Sequence, residues 1–556
     1  MSISGLHVTM FAWLAAALVG VLWRRSPRLV LAVPTPLAAR WGGVLLATLY
    51  ALLAGWGVPA QRTVAMIAAV ALLRSLGLRW PLPLVLLGAA VAVSLLDPWA
   101  LLQPGFWLSF VAVGLLVASE PAGTGAPPAP GWRARAAAAL RNGLRSQAVA
   151  TVGLAPLSLL FFQQLSLVGF AANLVAIPLV TLVVTPLALL GVLLPPLWAL
   201  AAGLLQALAV FLQALAATPL PVWTSAAAPA WAAAAGLLGG LLLVLPLPWR
   251  LRLLGLPLLL PLLAPPLERP AHGQFEAVAA DIGQGTAVLV RTAGHLLVYD
   301  TGPAYTPEAD AAQRVLLPLL RARGERHVDL LMLSHRDTDH VGGAASLLAA
   351  LPVRALSTSL ADGHVLRARG LTHTRCEAGQ SWTWDGVRFD VLHPTAAEHD
   401  SLVRPNALSC VLRVQGARHS LLLAGDIEAA QEAALLARGA PLRSDVLLVP
   451  HHGSRTSSTA AFIDAVAPHT AVVQAAYRSR FGHPAPDVEA RYAARGIVFV
   501  RSDRCGAWTL QAGGQGVCER QAARRYWHHP AVWWPGACKP QPSTAQEPRK
   551  CPSTSR

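Results

Sequence analysis

Leu330-Leu-Met-Leu-Ser-His-Arg-Asp-Thr-Asp-His-Val-Gly-Gly343 decides how the second half of this 556-residue chain is read. The largely apolar run Val328 to Leu333 predicts a buried strand. It ends in four metal-competent side chains within six residues: His335, Asp337, Asp339 and His340. On a helix or strand four such groups could not all converge; on a tight turn they can. Two imidazoles and two carboxylates suit one or two borderline divalent cations, zinc or manganese. Val341-Gly342-Gly343 then opens an Ala/Leu-rich helix.

Composition divides the chain around this stretch. Overall, 54% of residues are hydrophobic and 13% charged, with mean hydropathy +0.49. A soluble chain carries about 25% charge. Up to Pro270 there are 14 Arg, no Lys and three acids (Asp97, Glu120, Glu268), whereas the remainder holds 30 basic and 25 acidic residues. The expected organisation is a polytopic membrane domain over 1–267, a Pro/Gly linker over 268–274, a globular α/β domain over 275–515 and a disordered basic tail over 516–556. The net charge of +16 is no nucleic-acid signal by itself, because most of it is loop arginine, which orients membrane proteins. All six cysteines lie in the second half and none forms a CxxC pair, which argues against a structural zinc site. Cys505 and Cys518 are the first candidates for a bridge if that half is extracytoplasmic; unpaired thiols stay open beside it.

About ten crossings are expected, near 6–23, 41–57, 62–78, 81–97, 100–118, 146–163, 166–196, 199–217, 230–248 and 252–267. The seventh carries Asn173, Pro178 and Pro186 and is expected to be kinked or discontinuous. Arg24, Arg25, Arg28 and Arg40 share one loop, Arg74 and Arg79 a second, Arg133, Arg135, Arg141 and Arg145 a third, and Arg250 and Arg252 a fourth. With ten crossings these loops fall on one side, the cytoplasm, and the second half falls outside it. No charged n-region precedes the first apolar run, so no cleavable leader is expected.

Beyond the linker, Phe275 to Val290 predicts strand-turn-strand about Gly283 and Gly285, and helical and strand runs alternate to about Leu510. Four further polar clusters sit at strand ends: Asn406-Ala-Leu-Ser409, Gly425-Asp426, His451-His-Gly-Ser454 with Thr456, and Gly482-His483-Pro484. Singly each is ordinary turn chemistry. Strand ends carrying His and Asp, in order along one edge of a layered sheet, are where a dinuclear site would be assembled.

The run His335 to His340, with Asp426 and His483 behind it, resembles the metallo-β-lactamase fold, an αββα sandwich with one or two metals at one edge. The usual HxHxDH is here HxDxDH, with Asp337 at the second ligand position. That form, together with Asp281-Ile-Gly-Gln-Gly285, Asp300-Thr-Gly302, Ala424-Gly-Asp-Ile427, Pro450-His-His-Gly-Ser454 and Gly482-His-Pro484, is similar to ComEC-type competence proteins. In the first half, Ile3-Ser-Gly-Leu-His-Val8, Leu95-Leu-Asp-Pro98, Gly105-Phe-Trp-Leu-Ser-Phe110, Pro156-Leu-Ser158 and Asn173-Leu-Val-Ala-Ile-Pro178 look like the competence membrane domain. In that family the Ser-Gly-Leu-His stretch is internal, behind further helices and an OB-like region; here it stands at residues 4–7, so that region is expected to be absent.

The resemblance implies an inner-membrane DNA-uptake channel that passes single-stranded DNA into the cytoplasm. It also implies an extracytoplasmic phosphodiesterase or deoxyribonuclease that degrades the other strand. A guide-only domain and a membrane-tethered hydrolase of another phosphodiester are the alternatives. Expected metal ligands are His335, Asp337 and His483 for one ion, Asp339 and His340 for the other, and Asp426 between them. Asp339 is the candidate base, and His451 or His452 completes a site or donates to the leaving oxygen. Ser454 and Thr456 are expected to bind phosphate, and Asn406 and Ser409 to contact substrate. Implied partners are DNA, the lipid bilayer, a periplasmic DNA receptor and a cytoplasmic ATP-driven translocase, since the chain holds no GxxxxGK[ST]; a homo-oligomer is admissible.

Overall fold

The computed structural model describes residues 5–78, 80–120, 131–219, 221–367, 371–399, 404–525 and 528. The expected tail beyond His528, with Cys538 and Cys551, lies outside the described residues. Packing divides the chain into two units: Met1–Leu267 with Arg321–Gly324, and Glu268–Leu320 with Glu325–Arg556.

Among its described residues the first unit is helical, apart from one short antiparallel strand pair, Gln164–Ser166 with Val222–Thr224. Its helices turn Leu, Val and Trp outward: Leu53, Leu96 and Leu193 are each more than three-quarters exposed. An apolar exterior of that kind belongs in a bilayer. Small residues let the backbones close up. Gly43 lies against Ala12 and Ala16, and Gly239 against Gly255, the contact that membrane helices use in place of hydrophobic burial.

The helices of the ten expected crossings differ in length. Among the described residues five helices are long and apolar enough to cross: His7–Arg24, Thr35–Leu53, Trp132–Phe162, Gly169–Leu190 and Pro196–Ala216. Leu82–Leu96, Pro104–Ala118 and Ala230–Val244 are apolar but only 15 residues long, about 22 Å against a hydrocarbon core of about 30 Å. The expected last crossing is the nine-residue helix Gly255–Leu263. Proline is the cause: Pro81, Pro98, Pro104 and Pro248 stand at or just outside helix starts and cut apolar runs that hydropathy alone joins. The seventh segment is interrupted, as expected, by a π-helical turn over Leu179–Val184, between Pro178 and Pro186.

The second unit is a sandwich of two sheets. Across the first run Thr372–Arg375, Val353–Thr358, Val328–Leu333, Leu296–Tyr299, Val288–Arg291, Glu276–Ala279, Trp508–Leu510 and Gly516–Cys518. Across the second run Ser381–Trp384, Val387–His393, Val411–Gln415, Ser420–Leu423, Val446–Leu448, Thr470–Val473 and Val498–Arg501. Alternation of side chains along each strand builds three cores. In Val328–Leu333, Leu330 and Met332 join the layer between the sheets, while Leu331 and Leu333 pack outward against Leu316, Leu320 and Leu347. In the second sheet Leu421 and Leu423 face inward, and Leu422 packs outward with Leu435, Phe462 and Ile463. Burial on both faces explains why these strands appear as continuous apolar runs. The result is the expected αββα order.

The boundary at 515 is corrected. Gly516–Cys518 pairs with Trp508–Leu510, and Glu519–Ala522 follows as a helix. Arg520 reaches back to Asp281 Oδ2 at 2.5 Å and donates to the Asp503 carbonyl at 2.7 Å. The short, Gly-containing strand carries too little apolar sequence to be recognised alone. Cys505–Cys518 and Cys376–Cys410 are disulfides, so no described cysteine is free.

Candidate metal centre

The strand Val328–Leu333 delivers Ser334 and His335, and a single helical turn, Thr338–Val341, presents Asp339 and His340. Two neighbouring turns clamp this loop by its backbone. Thr286 N donates to the Asp339 carbonyl (3.1 Å), and Thr301 donates to the His340 carbonyl through N (2.7 Å) and Oγ1 (2.9 Å). Gly285 has φ +129° and its Cα lies so close that any Cβ would strike the Asp339 carbonyl. The Asp-Ile-Gly-Gln-Gly and Asp-Thr-Gly stretches are therefore supports for the metal-competent loop.

Imidazole orientation follows from hydrogen-bond arithmetic. Asp300, at the end of Leu296–Tyr299 and held at φ +59°, accepts from Ser334 N and Ser334 Oγ, each at 2.7 Å. The Ser334 hydroxyl has one proton and gives it to Asp300, so toward His335 Nδ1, 3.0 Å away, it accepts. Asp300 Oδ2 also accepts from His340 Nδ1–H at 2.7 Å. His452 Nδ1 donates to the Gln474 carbonyl at 3.0 Å. In all three rings Nδ1 is committed and Nε2 is left buried without a hydrogen-bond partner, as is Oδ1 of the buried Asp426. His335, His340 and Asp426 form one group whose ligand atoms lie within 4.8 Å of one another, and Asp339, His340 and His452 form a second. Asp426 Oδ1 is 3.2 Å from His340 Nε2, and Asp426 Oδ2 is 3.5 Å from His452 Nε2, without the alignment of a hydrogen bond. Buried polar atoms that converge yet leave one another unsatisfied fit a divalent cation between them.

The remaining expected residues fall around this core. Asp337 is less enclosed, with Oδ2 3.6 Å from His335 Nε2. His483 is not grouped with His335; its ring centroid lies 5.9 Å from His451 and 6.4 Å from His452, and its Nδ1 is buried and unpartnered. His451 and His452 are consecutive residues with φ near +50°, a strained arrangement for non-glycine residues that splays the two rings apart. His452 joins the metal-competent group, whereas His451 Nδ1 faces Thr456 Oγ1 (3.1 Å) and Glu428 (3.4 Å), with Asn406 Nδ2 3.4 Å from its Nε2.

The hydroxyls expected to meet substrate or phosphate have partners of their own. Ser409 is fully buried, its Oγ 3.3 Å from His335 Nδ1 and accepting from Asp426 N at 3.1 Å; it positions ligands and has no surface for substrate. Ser454 and Thr456 hydrogen-bond each other at 3.1 Å, Thr456 donates to Glu428, and Thr456 Oγ1 also meets His451 Nδ1, with Thr456 at the surface. Sequence reasoning missed Asp300, Ser334, Glu428 and Gln474 as site residues. An acid closing the buried apolar strand Leu296–Tyr299 was the available signal for Asp300.

Charge is balanced inside the cluster. Burial pushes the Asp426 carboxyl up, but His340 and His452 outweigh it and hold it well below the usual range. Burial likewise raises Asp339, and the His452 contact pulls it down to about 2. His340 and His452 are driven down by burial and up, more strongly, by Asp426 together with Asp300 or Asp339. Burial and the neighbouring His452 and His451 lower His483 to about 4. Such opposed, strongly shifted groups mark a functional cluster.

Comparison with known proteins agrees with both units. Residues 1–250 match the competence protein family, and residues 280–476 the metallo-β-lactamase superfamily, a fold that implies divalent-metal binding. The chain is 38% identical over 547 residues to competence protein ComA of Neisseria gonorrhoeae, covering 94% of this chain and 72% of that one. It is 31% identical over 544 residues to YcaI of Escherichia coli K12, covering 93% and 67%. Recombination protein 2 of Haemophilus influenzae is 29% identical over 517 residues, covering 85% and 63%. This chain belongs to the ComEC family of competence proteins, with a competence membrane domain followed by a metallo-β-lactamase-fold domain.

Proposed function

We propose that this chain is the inner-membrane conduit of DNA uptake, passing one strand into the cytoplasm, and that its metallo-β-lactamase-fold domain, outside the cytoplasm, hydrolyses phosphodiesters of the other. The observation that carries the hydrolase reading is the convergence of three bare Nε2 atoms, of His335, His340 and His452, with the unpartnered Asp426 oxygen. Competence relatives along both units support the DNA-uptake reading. The two disulfides support an oxidising compartment for the domain. A DNA receptor outside and an ATP-driven translocase inside remain the partners this reading calls for.

His335, Asp337, Asp339, His340, Asp426 and His452 would hold one or two divalent ions, with His483 at the rim. His340 can serve only one ion, because Asp300 occupies its Nδ1. A divalent metal there supplies Lewis-acid chemistry, namely a water nucleophile at neutral pH and charge neutralisation on the phosphate. Asp300, Ser334, Ser409 and Gln474 fix the imidazoles and Asp426. Asp339, with one-third of its side chain exposed, is the candidate to take a proton from an incoming water. His451, braced by Thr456 and Glu428, is the group available to a leaving oxygen. The test is metal analysis of the full-length protein with a cleavage assay on single- and double-stranded DNA in zinc or manganese. Stoichiometric metal with cleavage is expected. Stoichiometric metal without cleavage leaves a guide for DNA, and cleavage of small diesters alone leaves a hydrolase of another substrate.

A further inference from the structure

Between the buried centre and the surface runs a line of rings. His335 and His340 have centroids 4.1 Å apart, His340 and His452 5.3 Å, and His452 and His483 6.4 Å. Phe481 continues it, 5.8 Å from His483 with an interplanar angle of 29°. Phe481 is 55% exposed and Tyr477, at the other end of the same loop, 52%. Each ring carries an arginine: Arg480 lies 4.7 Å over Phe481, and Arg478 lies 5.3 Å over Tyr477. The loop is tied down between them, because Ser479 Oγ donates to Gln284 Oε1 at 3.0 Å, in the turn that braces Asp339. The proposed hydrolysis uses none of the five residues Tyr477 to Phe481.

Two exposed aromatics flanking two guanidinium groups form a surface that costs solvation in a soluble domain and matches one ligand chemistry: unpaired bases for the rings and phosphates for the cations. A duplex hides its base faces, so the rings have nothing to stack on there. We infer that Tyr477–Phe481 is a binding subsite for single-stranded DNA beside the metal centre. Nucleotides flanking the scissile phosphate stack on Phe481 and Tyr477 while Arg478 and Arg480 take their phosphates. This rests on the proposed DNA hydrolysis and adds that the site takes its substrate as a separated strand.

The experiment uses the full-length chain in detergent and a labelled, nuclease-resistant phosphorothioate oligonucleotide, single-stranded or annealed to its complement, read by fluorescence anisotropy. Both rings are surface side chains, so Tyr477→Ala/Phe481→Ala keeps the fold, checked by circular dichroism. The double variant weakens single-strand binding at least about tenfold, from the known worth of base–aromatic stacking, with a much smaller effect on duplex. Arg478→Gln/Arg480→Gln lowers the slope of log affinity against log salt by about 1.4, two phosphates at about 0.7 each. For a cleavable strand, the ring variant raises KM far more than it lowers kcat. If the native chain cleaves DNA and the ring variant binds single strand within twofold of it, this inference falls and the proposed hydrolysis stands. If the native chain binds single strand without cleaving any DNA, hydrolysis falls, and the ring variant still decides the subsite. If it neither binds nor cleaves, both fall.

Discussion

Asp300 Oδ2 lies 2.7 Å from His340 Nδ1, and both side chains are wholly buried. The carboxylate fixes the ring so that Nε2 faces Asp426, and it raises the basicity of that nitrogen. Partners of this kind are worth about 10–100-fold in metal affinity. Asp300→Asn, close in size, is expected to lower zinc or manganese affinity by that factor in competition with a chelator, at nearly unchanged secondary structure. Asp300→Ala also strands Ser334 and His340 and is expected to cost a further ~1–3 kcal/mol of stability. An Asp300→Asn protein with native metal affinity would remove the carboxylate from the site.

His335, His340, Asp339, Asp426 and His452 are expected to behave as a unit, because metal-dependent hydrolysis needs the full donor set. His335→Ala and Asp339→Ala should each abolish cleavage, and the double variant should be little worse than either, the non-additivity of residues that serve one step. His451→Ala and Ser454→Ala should be milder, since neither belongs to the two groups of converging ligand atoms. Metal content, cleavage rate and thermal stability are measured together on each variant, because metal contributes to folding. Independent, multiplying losses in the double variant would contradict a shared centre.

Away from the site, Asp385 gives a pH prediction. It forms with Gly386 the two-residue turn between Ser381–Trp384 and Val387–His393, both residues at positive φ, the Asp-Gly hairpin signature. Its Oδ2 accepts from Thr292 Oγ1 and Gly294 N, each at 2.6 Å, and faces His295 Nδ1 at 3.0 Å. Burial raises this carboxyl, and the contacts with His295, Thr292 and Gly294 overcome it and bring it to about 2. A depressed carboxylate contributes stability that is complete above its unfolded value, near 4, and lost as pH falls from about 4 to about 2. Asp385→Asn should therefore be less stable than the native chain at neutral pH, with the difference closing toward pH 2, read from denaturation midpoints across that range. A constant difference at all pH values would mean the turn geometry, and not the charge, is responsible.

The centre was legible where chemistry is dense in sequence. His335, Asp337, Asp339 and His340 announce themselves within six residues, and Asp426 and His452 follow at the ends of apolar strands. Which of them stand together was not legible, because partners such as His340 and Asp426 come from different sheets, and the pairing is set by how those sheets stack. Ser409 looked like a substrate contact for the same reason: a hydroxyl near a ligand gives no sign in sequence of whether it faces inward, and Ser409 is buried. In the membrane unit, hydropathy registers apolar length but not where proline ends a helix. Ala230–Val244 and Gly255–Leu263 are therefore shorter than the runs that contain them.

The compartment of the globular domain is open to a direct chemical test. A cytoplasmic place for the four arginine-rich loops depends on a count of ten crossings, and several of those segments are too short to span on their own. The disulfides give an independent expectation. Cys505–Cys518 joins the turn after Val498–Arg501 to the edge strand Gly516–Cys518, and Cys376–Cys410 ties a loop of the first sheet to the start of Val411–Gln415 in the second. Such bridges persist outside the cytoplasm and are reduced within it. In a Cys538→Ser/Cys551→Ser background, cells lysed under denaturing conditions with a thiol-blocking polyethylene glycol maleimide should show no mass shift, and a shift of four labels only after prior reduction. Alkaline phosphatase fused after Leu267, replacing the globular domain, should be active. Removing Cys505–Cys518, a bridge spanning 13 residues, should lower stability by about 3 kcal/mol, read as a lower denaturation midpoint, and loosen the edge strand first. Four labels without reduction, with an inactive fusion, would place the domain in the cytoplasm and leave the proposed degradation of an incoming strand without a compartment to occur in.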